Sequence, residues 1–164
     1  MPHTNSRKVR DKSEFDGVTI MKETRYKADP QQPYGLHDCK INCIEIADGN
    51  LTLVFKDEIT RIKRPGVSGL DVHGKIVVEG IDPEFCDVII QGKGGSMGGF
   101  RGERLTISEF TEKYRGYNFE VINEYYGWQR LQYTGWLWMP NVHPKEMTLS
   151  LGYFKGDIVY ITEE

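Results

Sequence analysis

The chain has 164 residues, a formal net charge of −3, 38% hydrophobic and 27% charged residues. This balance excludes a disordered low-complexity chain, and no apolar run approaches the roughly 18 residues of a membrane-spanning helix. With 24 acidic against 21 basic side chains, it also lacks the strongly basic character of most nucleic-acid-binding domains.

Residues 1–14 are polar and aperiodic, and are expected to form a flexible tail ahead of a single β-rich domain over 15–164. They also lack the apolar stretch of a secretory signal. Val18–Tyr26 reads as a first strand, and the two prolines of Asp29–Gly35 make that stretch a loop. Lys40–Ile46 is apolar and β-branched, Asp48-Gly49-Asn50 is a turn, and Leu51–Lys56 alternates with period two. This is a β-hairpin with Leu51, Leu53 and Phe55 on one face. Shorter strands are expected at Glu58–Lys63, Leu70–Val72, Lys75–Glu79 and Cys86–Gln91, with Pro65–Gly69 as a break.

Gly92–Gly102 holds six glycines in eleven residues. Beyond it, Thr106 and Glu109 form a capping box, in which a hydroxyl and a carboxylate satisfy backbone donors at a helix start. One short helix is predicted over about 107–115, with Ile107, Phe110 and Tyr114 at helical spacing and Gly116 at its exit. Two hairpins are expected to close the chain, 119–138 turning at Gly127-Trp128 and 147–162 turning at Lys155-Gly156. The sum is a mainly β, single-domain sandwich or partly open barrel with one short helix.

The glycine-rich stretch fails as a phosphate loop. Gly94 follows Lys93 where Ser or Thr is required, and Met97 breaks the dinucleotide pattern. It reads instead as a flexible connection, or as a flap carrying Met97, Phe100 and Arg101 over a binding surface. Cys39 and Cys43 on one strand stand roughly 13 Å apart, too far for two sulfurs each about 2.3 Å from one zinc. No metal or other cofactor is expected. His37 and Asp38 form a polar candidate site, but adjacent strand residues point to opposite faces. Their simpler role is to hold the start of the strand through backbone hydrogen bonds, and no catalytic residue is assigned. Glu120 and Glu124 also stand too far apart for a glycosidase pair.

The aromatic hairpin 119–138 is the best binding candidate. A regular ladder places Tyr117, Phe119, Val121 and Tyr125 with Thr134, Trp136 and Trp138, and puts Ile122, Tyr126, Leu131, Tyr133, Leu137, Glu120 and Glu124 on the other face. Such aromatics serve as core, through cross-strand pairs, or as a binding face, since Trp and Tyr dominate interface hot spots. Tyr125, Trp128, Trp136 and Trp138 are the candidate binding residues, with Trp128 exposed at the turn.

Residues 34–55, running from Tyr34-Gly-Leu-His-Asp-Cys39 through Cys43-Ile-Glu-Ile46 and the DGN turn to Leu51-Thr-Leu-Val-Phe55, resemble the opening of small bacterial β-domain families of unknown function. Immunity-type proteins of toxin systems are among these. The resemblance implies a bacterial, cytoplasmic, mostly β protein without established chemistry. An odd set of three cysteines fits reduced thiols in that compartment. The expected function is non-enzymatic binding of a protein partner, or self-association, in an immunity or accessory role. The alternatives are a ligand- or carbohydrate-binding domain using exposed Trp, and a small hydrolase-like enzyme using His37. Neither nucleic acid nor membrane is an expected partner.

Overall fold

A computed structural model describes residues 19–26, 31–64, 66–92, 99 and 101–163. The tail expected over 1–14, and Met97 and Phe100, lie outside the described residues. The strands are β1 (Met21–Tyr26), β2 (Tyr34–Gly35), β3 (Lys40–Ala47), β4 (Asn50–Phe55), β5 (Ile59–Arg64), β6 (Val67–Val72) and β7 (Gly74–Val78). After a short 3-10 turn at Pro83–Phe85 come β8 (Asp87–Gln91), β9 (Gly102–Leu105), helix α1 (Ile107–Lys113), β10 (Asn118–Gly127), β11 (Arg130–Trp138), β12 (Lys145–Gly152) and β13 (Ile158–Glu163).

Ten strands form one antiparallel sheet in the order β1-β13-β7-β4-β3-β10-β11-β12-β8-β9, and β2-β5-β6 form a second. Among the described residues the large sheet does not close, because β1 and β9 remain at its ends. Tyr34 of the small sheet stacks on Tyr160 of β13 at 4.9 Å, so the two sheets face each other as in a sandwich. The mainly β fold with one short helix is as expected.

Period-two alternation accounts for the interior. Leu51, Leu53, Ile76, Val78, Leu131, Tyr133, Leu137, Leu149, Leu151, Ile158 and Tyr160 are each fully buried, one face of each strand turning inward. Each such side chain contributes about 1.5–3 kcal/mol through removal from water. The β3–β4 turn has left-handed residues at both Asp48 (φ 52°) and Gly49 (φ 75°), the geometry that matches the twist of a two-residue hairpin. The capping box of α1 forms as read: Thr106 Oγ1 accepts from the Glu109 N–H, and Glu109 Oε2 from the Thr106 N–H at 2.8 Å.

Four expectations are corrected. Val67–Gly69 belong to β6 rather than to a break, because the chain already turns between Arg64 and Val67, with Gly66 left-handed (φ 74°), and β6 pairs back onto β5. Gly102–Leu105 is a strand, paired with β8. The segment 147–162 is not a hairpin: β12 lies between β11 and β8, while β13 lies between β1 and β7. A turn signal reports that the chain reverses, but not which strand it returns to. Here the connection crosses the sheet end, where Tyr153 bridges Ile81 and the Phe154 N–H bonds Gly80 O.

The fourth correction concerns the hairpin β10–β11. Its turn is Trp128-Gln129, one residue later than expected, with Gln129 left-handed (φ 56°). The register also shifts between Val121 and Asn123, a β-bulge at Ile122. The extra residue reverses the alternation, so Phe119 and Val121 join Glu124, Tyr126, Leu131, Tyr133 and Leu137 inward. Glu120 instead joins Trp136 and Trp138 outside.

Candidate functional site

The outer face of β10–β11–β12 gathers most of the aromatic candidates. Trp136 and Trp138 alternate with buried Leu137, so both stand on the outer face, 37% and 42% exposed. Trp138 is held by its indole N–H, which donates to Glu120 Oε2 at 2.6 Å. Trp136 is paired with Glu120 on one side and Glu146 on the other. Val142, in the β11–β12 connection, is 55% exposed beside it. Tyr125 is also exposed, and Trp128 is 82% exposed at the tip. From Trp128 to Trp138 the hairpin arm measures about 30 Å at 3.3 Å per residue.

Trp136 separates two open depressions. One, of about 310 Å³, runs over the bulge and is lined by Ile122, Asn123, Thr134 and Thr148. The other, of about 630 Å³, is lined by Gly92, Asn141, Val142, His143 and Lys145. Gln91, Trp136 and Glu146 belong to both. Gly92 also ties the base of the glycine-rich stretch, its N–H bonding the carbonyl of Arg101. The structure thus brings Trp136, Val142 and the foot of that stretch together. Arg101 is exposed there, while Tyr125 and Trp128 lie farther along the same hairpin. Gln91 and Glu146 escaped the sequence reading because only the β11–β12–β8 pairing puts them beside Trp136.

His37 and Asp38 lie elsewhere. His37 Nδ1 donates to the bulge carbonyl of Ile122 at 2.8 Å, and the Asp38 N–H donates to Val121 O at 2.8 Å. His37 Nε2 and Asp38 Oδ1 are 3.5 Å apart, both widely exposed. The left-handed Asp38 (φ 65°) turns the chain into β3. These two residues fasten the Leu36–Cys39 loop to β10.

Behind the bulge, on the inner face, lies a polar cluster that the sequence reading did not identify. Glu124 Oε2 accepts from the buried Leu36 N–H at 2.8 Å, and Oε1 accepts from the Tyr126 hydroxyl at 2.7 Å. Tyr126 in turn stands 3.5 Å from the hydroxyls of Tyr133 and Tyr160. Burial raises the Glu124 carboxyl above its ordinary range, against the opposing pull of these two donors. It also holds Tyr126 and Tyr133 well above the usual phenol range. Both carboxylate oxygens are engaged, so the cluster joins β10 to the loop before β3.

No group of three or more metal-ligating side chains occurs among the described residues. The thiols differ sharply: Cys39 and Cys86 are buried, Cys43 is exposed. Burial, then nearby acids, push Cys39 up to about 12, and burial raises Cys86. Partial burial and the neighbouring Glu45 raise Cys43 as well, but of the three sulfurs it alone is exposed to a reagent, so maleimide at mildly alkaline pH is expected to modify Cys43 first. Peptide mapping that finds Cys39 or Cys86 modified as fast in the native protein would contradict this arrangement.

Compared with protein-family models, with curated proteins and with solved structures, the chain finds no match.

Proposed function

We propose that the protein is a non-enzymatic binding domain whose outer hairpin face, centred on Trp136 and Trp138, docks a partner protein. The observation that carries this reading is the pair of exposed tryptophans on one face, Trp136 of them standing beside Val142 at the foot of the glycine-rich stretch. Monomers rarely leave such side chains together in water without a partner, and Trp is the residue most enriched at interface hot spots. The narrower version is an immunity or accessory role in a bacterial toxin system, within the cytoplasm, and rests on the resemblance of residues 34–55. The product of an adjacent gene is then the first partner to titrate. Trp136→Ala/Trp138→Ala is expected to weaken that binding by about a hundredfold or more, since each hot-spot Trp contributes about 2 kcal/mol, with the melting temperature little changed. Equal affinities for wild type and double variant would remove the basis of the reading.

A second reading is binding of a linear carbohydrate. It is favoured by the depression where Trp136 stands among the neutral hydrogen-bonding groups of Asn123, Thr134, Thr148 and Gln91. Oligosaccharide binding that shifts tryptophan fluorescence in wild type, and not in the double variant, would select it.

A further inference from the structure

Of the described residues that line the depression of about 310 Å³ over the bulge, Glu146 alone is charged. It lies directly opposite Trp136 in the β11–β12 ladder, which sets their Cβ atoms about 4.5–5.5 Å apart. Glu146 is exposed, and among the described residues it makes no hydrogen bond or ion pair. The wider depression beyond Trp136 differs, because Lys145 and His143 line it together with Glu146. The smaller depression therefore joins an indole wall to a carboxylate that no cation on its own lining offsets.

The neutral groups around it add acceptors. Asn123 donates its amide N–H to Thr134 Oγ1 at 3.2 Å, which leaves its carbonyl oxygen to accept, and Gln91 brings a second amide oxygen. Glu120 stands on the opposite side of Trp136, but its carboxylate holds the Trp138 N–H and faces Lys40 across the ladder, so it adds less. A guanidinium complements this set. It is planar, carries five N–H donors and no acceptor, and stacks on an indole while bonding a carboxylate in its own plane.

We infer that this depression receives an arginine side chain of the partner protein, its guanidinium stacked on Trp136 and bonded to Glu146. The inference rests on the docking function proposed above and names the group that the partner presents. A neutral sugar would leave the Glu146 charge unmatched, and an acidic side chain would be repelled by it. A lysine ammonium suits the carboxylate but not the flat indole, because it is a compact, strongly hydrated point charge.

The test uses the whole protein and N-acetyl-arginine methylamide, with its lysine and citrulline counterparts. Citrulline replaces the guanidinium with a neutral urea of the same shape. The indole N–H resonance of Trp136 is followed by NMR at millimolar probe. The arginine probe is expected to shift it saturably, and the citrulline probe to bind about tenfold more weakly, having lost both the ion pair and the cation–π contact. Glu146→Gln is expected to weaken the arginine probe about threefold through the ion pair alone, and Glu146→Lys to abolish saturation. Both variants should melt as wild type, since the side chain they replace holds nothing in place. No saturable shift, equal binding of the citrulline or lysine probe, or wild-type binding by Glu146→Lys would each overturn the assignment. The two readings fail separately. A failed arginine probe, with partner binding still lost in Trp136→Ala/Trp138→Ala, strikes the arginine alone. Partner binding retained in that double variant strikes the docking reading, and with it the partner as the arginine's source.

Discussion

Replacing Glu124 with alanine is expected to lower stability by about 3–5 kcal/mol, because it strands two buried donors at once. The Leu36 N–H and the Tyr126 hydroxyl both end on that carboxylate, and Leu36 is completely buried. For a domain of this size the loss corresponds to a fall in melting temperature on the order of 10 °C. Glu124→Gln behaves differently, since the amide still offers an oxygen to Leu36 and can donate to the Tyr126 oxygen. Its cost near neutral pH is expected to stay within about 1 kcal/mol. The two variants also separate by pH. Burial raises the Glu124 carboxyl in the folded state, above the roughly 4.3 of an unfolded glutamate. Between those two values the folded protein holds more protons than the unfolded chain, so stability from this group falls as pH rises through that window. Glu79 and Glu103, held low by ion pairs with Arg25 and Lys113, act in the opposite sense but equally in both proteins. Denaturant titrations across pH should therefore show Glu124→Gln gaining on wild type as pH rises. Parallel curves would refute a buried, proton-favouring carboxyl.

Gly135→Ala is the second large effect. Gly135 faces the Ile122 bulge, and a Cβ placed on it would stand 1.8 Å from the Glu120 carbonyl oxygen. That neighbour is backbone, so no rotamer change relieves the overlap and β10 itself must move. The expected loss is at least about 4 kcal/mol, and it would disturb Trp136 on the next residue. Gly127→Ala on the same hairpin supplies the comparison. Its Cβ would lie 3.8 Å from Arg130 O, an ordinary contact, and the cost should stay below about 1 kcal/mol. Similar melting curves for the two variants would contradict the close approach at the bulge.

Much of the fold was legible where the pattern is local. The β3–β4 hairpin follows from DGN and LTLVF, and the capping box placed α1 within two residues of its observed end. What escaped depends on partners distant in the chain. Lys155-Gly156 resembles a hairpin turn, yet β12 and β13 belong to different neighbourhoods of the sheet. The Ile122 bulge has no local signature, because nothing in Glu-Val-Ile-Asn-Glu departs from strand composition. Its trace is on the opposite strand, in the bare Gly135 that tolerates the extra backbone. Missing the bulge put Phe119 and Val121 on the face of Trp136 and Trp138, and Glu120 on the face of Glu124 and Tyr126. Trp136 and Trp138 were legible as binding candidates because their own alternation with Leu137 lies beyond the irregularity. Their polar neighbours were not, since Gln91 and Glu146 arrive from two other strands.

The strand order also bears on how such a chain reaches its native state. Among the described residues, β13, the last element in sequence, lies between β1, the first, and β7. Until it arrives, β1 has no partner in the large sheet and β7 shows an open edge. Synthesis therefore passes through a stage in which all but the final strand is available and the sheet still ends in exposed, unsatisfied backbone. Pairings this far apart in sequence are slow to form, because the loop entropy is lost before the contacts return it. Chains held at that stage carry the unpaired edges that drive intermolecular strand exchange.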